Sequence, residues 1–157
     1  MRNDRGKVKS DDPVISKQWV FGGAVTVEGR TFIVPDDAEL DGLIAEDTED
    51  ITGIIEGIIE VIPESVGQST GLKDSDGVEI YDKDIVKLCY GIPPTFDTLV
   101  IEYADDETVA DISVSGWWMR NIRPNGVSGS LCKTYENDLE IIGNTTDNPE
   151  LLEQENE

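Results

Sequence analysis

The amino-acid sequence predicts a mainly β fold, arranged as a small barrel or sandwich. Two observations support this prediction. Runs rich in β-branched and aromatic residues recur along the chain. Turn-forming residues separate them about every 8 to 12 residues, which is typical of small all-β domains. The length of 157 residues is enough for one ordinary domain or two small ones.

The N-terminal third is predicted to hold a β-hairpin behind a loose arm. Residues 1–16 are polar and charged, so we expect a disordered arm. The segment QWVFGGAVTVEGRTFIV then places two β-rich runs around Glu28-Gly29, which predicts a hairpin. Residues 17–62 are therefore interpreted as an N-terminal hairpin subdomain.

An acidic insert follows this hairpin. The stretch from Asp36 to Asp50 has no basic residue and carries three apolar residues at helical spacing, so a short helix and a loop both remain open. Such a dense run of like charges is expected in water rather than in the core. In Ile51–Ile62 the apolar residues are nearly all β-branched, and Gly53 and Gly57 weaken a helix, so extended structure is favoured.

The remaining chain reads as a series of strands. Asp74 and Gly77 predict a turn, and Gly91–Pro94 interrupts the pattern. An acidic turn, Ala104–Glu107, is predicted to join two of the strands. The predicted strands are Val78–Tyr81, Asp84–Tyr90, Thr98–Tyr103, Thr108–Val114, Trp117–Ile122 and Leu139–Ile142. Residues 150–157 are predicted to form an acidic tail.

The net charge of −22 restricts the partners of the chain. Phosphate backbones repel it, so direct nucleic-acid binding is not expected unless a local basic face exists. Anionic membranes repel it as well. The first 30 residues differ, with six basic and four acidic residues. No secretion signal and no membrane-spanning run are recognised, which favours the cytoplasm.

The residues for common enzyme chemistry are missing. The sequence contains no histidine and no phosphate-binding loop, so we expect no enzyme and no cofactor. Cys89 and Cys132 are expected to be free thiols packed in the core. Asp82 and Asp84 lie two residues apart and form a weak candidate for Mg²⁺ or Ca²⁺, with solvated turn residues as the simpler interpretation.

Two adjacent tryptophans, Trp117 and Trp118, form the candidate interface. In a strand their side chains point to opposite faces, so one is expected in the core and the other partly exposed. A partly exposed tryptophan is a typical interface anchor. The alternative is that the chain itself covers it.

Three segments resemble the YopX family of phage and prophage proteins. WVFGGAVTVEGRTFIVP is similar to the family's N-terminal hairpin. VIPESVGQSTGLKDSDGVEIYDKDIV follows the pattern P-E-T-V-G-Q-x-T-G-L-K-D leading into G-x-E-I-Y and D-I-V, and LEIIGNTTDNPELL is like its closing I-G-N-x-x-D/E-N-P-E-L-L. In one departure, Asp82-Lys83-Asp84 stands where the family usually has E-G-D, which puts the type of this turn in doubt.

The resemblance implies an SH3-like β-barrel for residues 63–149, oligomers, and a bacterial host cytoplasm. The central motif is interpreted as a folding signature rather than a site: Pro63, Gly67, Gly71, Asp74, Gly77, Ile80 and Asp84. The favoured function is a non-enzymatic protein that acts through contacts with copies of itself and with an unidentified host or phage protein. The alternatives are an acidic decoy that mimics DNA and, less favoured, a carboxylate-based metal-dependent enzyme.

Overall fold

The chain is mainly β, as the sequence predicts. The computed structural model describes residues 4–36, 58–109, 112–124 and 126–153, and strands predominate among them. Contacts divide the chain into two compact units, residues 1–68 and 69–157. Over these described ranges, no helix is long and apolar enough to cross a membrane. Apart from Asp36, the acidic insert lies outside the described residues, as does the short helix considered there.

The first unit is an antiparallel arrangement of short strands. Its elements are β1 (Asp4–Lys7), a 3-10 helix (Ile15–Lys17), β2 (Trp19–Val27), β3 (Arg30–Val34), β4 (Ile59–Val61), a second 3-10 helix (Pro63–Ser65) and the start of β5 (Gly67–Lys73). Neighbouring strands follow the order β4-β3-β2-β1-β5.

The β2–β3 hairpin follows from the two residues of its turn. Glu28 and Gly29 adopt positive φ angles of 49° and 79°, and a two-residue hairpin turn of type I′ requires positive φ at both positions. Val27 and Arg30 pair directly across the turn. The predicted hairpin is confirmed.

The prediction of a disordered arm is wrong for Asp4–Lys7, which form β1. This strand pairs with β2 on one side and with β5 on the other. Asp4 and Gly6 are buried, whereas Arg5 and Lys7 lie on the opposite face. A strand whose outward side chains are charged has the composition of a disordered segment, which explains the error.

Val8 connects the end of β1 to β4. It forms an isolated bridge with Val61, and the Lys9 backbone N–H donates to the Glu60 carbonyl at 3.0 Å. Gly6 permits β1 and β4 to approach this closely, because a Cβ at this position would lie only 2.9 Å from the Val61 side chain. Extended structure is thus confirmed for β4, while residues 51–57 lie outside the described part of the chain.

The second unit contains a five-stranded antiparallel sheet and a hairpin. Its elements are the rest of β5, β6 (Glu79–Tyr81), β7 (Asp84–Tyr90), β8 (Thr95–Val109), β9 (Ile112–Asn121), β10 (Gly129–Ser130), a 3-10 helix (Lys133–Tyr135), β11 (Leu139–Asn144) and a last 3-10 helix (Pro149–Leu152). The sheet order is β10-β9-β8-β7-β11, and the sheet is open. β5 and β6 pair as the hairpin.

The core of the second unit lies on one face of this sheet. Its buried side chains are Ile80, Val86, Leu99, Ile101, Met119, Leu131 and Leu139. Because Ile80 belongs to β6, the β5–β6 hairpin covers the inner face of the sheet. Burying an aliphatic side chain of this size contributes about 1.5–3 kcal/mol, so this cluster is the main source of stability of the unit.

The acidic segment Ala104–Glu107 is not the turn that the sequence predicted. β8 continues through it and pairs with β9, so the predicted strands of this region merge into two longer ones. Ala104 pairs with Gly116, and Glu107 with Val114. β8 therefore holds one residue more than β9 over this interval, which makes a β-bulge. A bulge and a turn both interrupt the alternation of side chains, which explains the misassignment.

Candidate functional site

Two residues of the central motif, Pro63 and Gly67, lie in the first unit. Pro63 begins the short 3-10 helix that ends at Ser65, whose side chain is buried. The Ser65 hydroxyl accepts a hydrogen bond from the Lys7 backbone N–H at 2.8 Å and donates one to the Ile62 carbonyl at 2.6 Å. Gly67 is buried in β5 opposite Arg5. This half of the motif therefore holds β1 in place.

Gly71 and Gly77 supply backbone conformations that other residues rarely adopt. Their φ angles are 75° and 81°. A Cβ at either position would meet no atom within 4 Å. The requirement for glycine here is therefore conformational rather than steric.

Asp74 is buried and organises the turn between β5 and β6. One carboxylate oxygen accepts hydrogen bonds from the backbone N–H groups of Asp76 at 3.0 Å and Val78 at 2.8 Å. The other accepts one from the Ile141 N–H at 3.2 Å. The same carboxylate thus shapes the turn and attaches it to β11.

Asp84 is also a structural carboxylate. It is 1% exposed and accepts a hydrogen bond from the Tyr81 N–H at 2.8 Å. Lys83 precedes it with a φ of 69°, at the position where the family usually has glycine. The turn thus keeps the left-handed conformation at this position, although a lysine occupies it.

The weak cation site considered at Asp82 and Asp84 is not assembled. Asp84 turns into the protein to bind backbone, so the two carboxylates do not share one exposed side. Across the ranges that the structure describes, no group of three or more His, Cys, Asp or Glu side chains is arranged to hold a metal ion.

Trp117 and Trp118 lie on opposite faces of β9. Trp117 packs against the core of the second unit, and its ring stands edge-on to Tyr103 at 5.3 Å between centroids. Trp118 pairs with Glu102 on β8 and with Ser130 on β10, on the other face of the sheet. Both side chains are partly buried. Of the two candidates, Trp117 contributes to this core, and Trp118 lies on the face opposite it.

The face that carries Trp118 is called here the outer sheet face. Cross-strand partners share a face, so the register assigns to it Lys87, Cys89, Phe96, Thr98, Val100, Glu102, Trp118, Arg120 and Glu140. Phe96 is 47% exposed, and the Lys87 ammonium lies 4.2 Å from its ring centroid. Arg120 forms an ion pair with Glu102. Ile85, on the same face, is fully buried.

A shallow cleft of about 190 Å³ opens beside Phe96 and Cys89. The prediction that Cys89 and Cys132 are core thiols is wrong, because both are exposed. The apolar run Leu88-Cys89-Tyr90 resembles a buried strand, but burial decreases along β7 toward its end, so Leu88 packs against the core while Cys89 and Tyr90 are exposed. Cys89 therefore faces solvent on the outer sheet face.

Tyr90 and Asp97 form a polar contact next to the turn of the β7–β8 hairpin. The Tyr90 hydroxyl donates to Asp97 at 2.8 Å, and Arg123 lies 3.7 Å from the other carboxylate oxygen. The hydrogen bond to Asp97 raises the pKa of Tyr90, since ionisation would break it beside a negative charge. This contact therefore favours the protonated form of the Tyr90 hydroxyl.

Two asparagines that the sequence did not single out shape the end of the second unit. Asn144 accepts hydrogen bonds through its side chain from the Thr146 and Asp147 N–H groups, at 3.0 and 2.8 Å. Asn148 packs so closely on Gly143 that a Cβ there would lie 2.5 Å from its side-chain oxygen. The signal was present in the segment I-G-N-T-T-D-N-P, because asparagine side chains commonly cap turns.

The comparisons agree with the resemblance found in the sequence. A family model described as YopX protein matches residues 29–153, which includes β3 through the last 3-10 helix. The match leaves out most of the first resembling segment, Trp19 to Glu28. Among curated proteins, none matches the chain.

Proposed function

The chain belongs to the YopX family, and from this premise we propose that it is a non-enzymatic phage or prophage protein that acts through protein–protein contacts. Its first partner is another copy of itself, and a host or phage protein is the second. It works in the cytoplasm of the bacterial host. The observation that supports this proposal is the composition of the outer sheet face.

The outer sheet face is balanced in charge on a strongly acidic chain. Lys87 and Arg120 on this face are matched by Glu102 and Glu140, whereas the whole chain carries a net charge of −22. Two copies with this net charge repel each other, and salt screens the repulsion only beyond about 8 Å. Self-association is therefore favoured where the facing surfaces are locally neutral.

The same face offers an aromatic anchor. Phe96 is about half exposed, and Trp118 is partly exposed; aromatic side chains contribute a large share of binding energy at interfaces. A two-fold pairing brings the same patch from both copies together. Two cations and two carboxylates in this patch then face the same set in the other copy, so neither patch adds a net charge to the contact.

The absence of enzyme activity is supported by what the buried carboxylates do. Asp74 and Asp84 each accept hydrogen bonds from backbone N–H groups. A general acid or base must instead exchange a proton with a substrate. The acidic decoy alternative depends on the acidic insert, and it stays a prediction because that insert lies outside the described residues.

We also propose that the second unit has an SH3-like arrangement. The β5–β6 hairpin lies on the inner face of the five-stranded sheet, and both contribute to one core through Ile80 and Leu99. Asp74 connects the hairpin to β11. Two β layers around one small core are compatible with this fold class, although the sheet is open.

Light scattering after size-exclusion chromatography tests the self-association. We expect a mass above the 17.3 kDa of one chain at micromolar concentration, and a shift toward one chain in Phe96→Glu. Val127→Glu is the matched control, because it adds the same charge at an exposed apolar residue, 78% exposed, in the loop between β9 and β10. A monomer in the unaltered protein at every concentration would refute self-association. An oligomer that persists in Phe96→Glu would instead place the interface elsewhere.

A further inference from the structure

The turn that joins β7 to β8 is apolar and lies in solvent. It is called here the hairpin tip and consists of residues 91–94, with the sequence Gly-Ile-Pro-Pro. Every residue from Cys89 to Phe96 is exposed, and this run contains no charged side chain, in a chain of which 29% of the residues are charged. Contiguous exposed apolar residues commonly mark a surface that another molecule covers.

The hairpin tip presents its largest side chain entirely to solvent. Ile92 is fully exposed, and Tyr90 and Phe96 on either side of the tip are 44% and 47% exposed. Pro93 and Pro94 each fix a backbone φ angle, so the tip loses little conformational freedom when it binds. The tip is therefore suited to enter a recess as a preformed apolar loop.

The cleft beside Phe96 is a recess of suitable size on the same unit. Its volume is about 190 Å³, and a cavity of about 150 Å³ is large enough to bind benzene. An isoleucine side chain therefore fits into it. The apolar side chains at the cleft are Phe96, Cys89 and Leu139, and the charged ones are Lys87, Asp138 and Glu140.

The tip and the cleft lie close together along one hairpin, and this closeness favours a second copy of the chain as the occupant. Ile92 follows Cys89 by three residues, so at about 3.3 Å per residue the two are about 10 Å apart along the hairpin. Sheets that pack face to face are also about 10 Å apart. A two-fold axis that crosses the hairpin midway between Cys89 and Ile92 places Ile92 of each copy over Cys89 of the other. One symmetric contact thus fills both clefts.

The charges near this contact permit two acidic chains to approach each other. Each copy carries a net charge of −22, and charges closer than about 8 Å are poorly screened by salt. The hairpin tip adds no charge, and Lys87 offsets one of the two carboxylates of the cleft. An anionic membrane, another common target of an exposed apolar loop, repels the chain.

We propose that the hairpin tip of one copy docks into the cleft of a second copy, which returns the same contact. This inference rests on the self-association proposed above and specifies where the two copies meet. Ile92 enters the cleft of the other copy, and Phe96 lies at its border. The contact removes two isoleucine side chains from water in each pair of copies.

Disulfide cross-linking tests the position of the tip. Ile92→Cys is made in a Cys132→Ser background, in which Cys89 is the one other thiol of the chain, and the protein is oxidised with diamide. Because a disulfide requires Cα atoms within about 7 Å, we expect a covalent dimer on a non-reducing gel. Adding Cys89→Ser should abolish this dimer, which excludes a bond between the two tips. Val127→Cys in the same background is the control, since Val127 is 78% exposed and lies in the loop between β9 and β10; it should give little covalent dimer.

Sedimentation equilibrium measures how much the tip contributes to the contact. Ile92→Asp should raise the dissociation constant of the dimer at least roughly tenfold, because an aliphatic side chain no longer leaves water on association. Val127→Asp is the matched control and should leave the dissociation constant nearly unchanged, since it adds the same charge at an exposed apolar residue outside the tip and the cleft. Circular dichroism confirms that both variants are folded.

The outcomes separate this contact from self-association as such. If Phe96→Glu weakens the dimer and Ile92→Asp does not, the docking of the tip is overturned while the outer sheet face remains the interface. Equal effects of Ile92→Asp and Val127→Asp, or equal cross-linking through the two introduced thiols, would overturn it as well. A monomer at every concentration of the unaltered protein refutes both this docking and the proposed self-association.

Discussion

Replacing Asp74 by asparagine removes the negative charge of this side chain and keeps its size and shape. The carboxylate accepts two N–H groups with one oxygen and the Ile141 N–H with the other. Asparagine keeps a single oxygen, and its amide group, a donor, takes the second position. A buried donor then faces a backbone donor, whichever way the amide is oriented.

The magnitude follows from the groups left without an acceptor. An unsatisfied buried N–H costs about 1–3 kcal/mol, so we expect Asp74→Asn to lower the free energy of unfolding of the second unit by about 2 kcal/mol. Asp74→Ala removes both acceptor oxygens and with them all three hydrogen bonds, and should cost about 4 kcal/mol. Against a typical domain stability of about 5–15 kcal/mol, the alanine variant is expected to be marginally folded.

Urea unfolding followed by tryptophan fluorescence measures this effect. In a Trp19→Phe background the remaining tryptophans, Trp117 and Trp118, both report on the second unit. Asp76→Asn is the matched control, because Asp76 is exposed and lies in the same turn; its change should stay within about 0.5 kcal/mol. If Asp74→Asn unfolds at the same urea concentration as Asp76→Asn, the carboxylate does not organise this turn.

Three further predictions concern backbone conformation and charge. Gly71→Val should destabilise the second unit by at least about 1–2 kcal/mol, because its φ of 75° is unfavourable for a β-branched residue; a melting curve like that of the unaltered protein would contradict this. Lys83→Gly should stabilise the unit by about 0.5 kcal/mol, because glycine adopts the φ of 69° without strain, and this gain exceeds the loss from the larger entropy of glycine in the unfolded chain. A lowered melting temperature would refute it. Hydrogen bonds from Arg30 and Lys9 lower the pKa of Glu60 to about 2, so its NMR titration should lie near that value and move toward 4.5 in Arg30→Gln. Since its folded pKa is lowered, the small stabilisation from this exposed pair is present above about pH 4.5 and is lost as the pH falls toward 2; an unchanged titration in the variant would exclude Arg30 as the cause.

Local signals predicted the parts of the fold in which neighbours in sequence determine the conformation. The pair Glu28-Gly29 predicts the hairpin turn, and the spacing of Asp74 and Gly77 predicts the next one, because turn conformation depends on the residues within it. Trp117 and Trp118 were assigned to opposite faces by alternation alone. These inferences needed no knowledge of distant contacts.

Contacts between distant residues explain the failures. β1 was missed because its strand character depends on pairing with β2 and β5, and not on its own polar residues. The exposure of Cys89 follows from its position near the end of β7, beyond the part of the strand that is buried, which no local pattern reveals.

The position of β11 has a consequence for synthesis on the ribosome. Leu139, at the start of β11, is fully buried and pairs with Leu88 of β7. The core of the second unit is therefore incomplete until the ribosome has synthesised the chain past this residue. The first unit, by contrast, draws its strand pairs from residues up to Gln68. Folding as the chain emerges should therefore proceed in two stages. A ribosome that stops between the two would release a protein with one finished unit and an apolar sheet exposed to proteases.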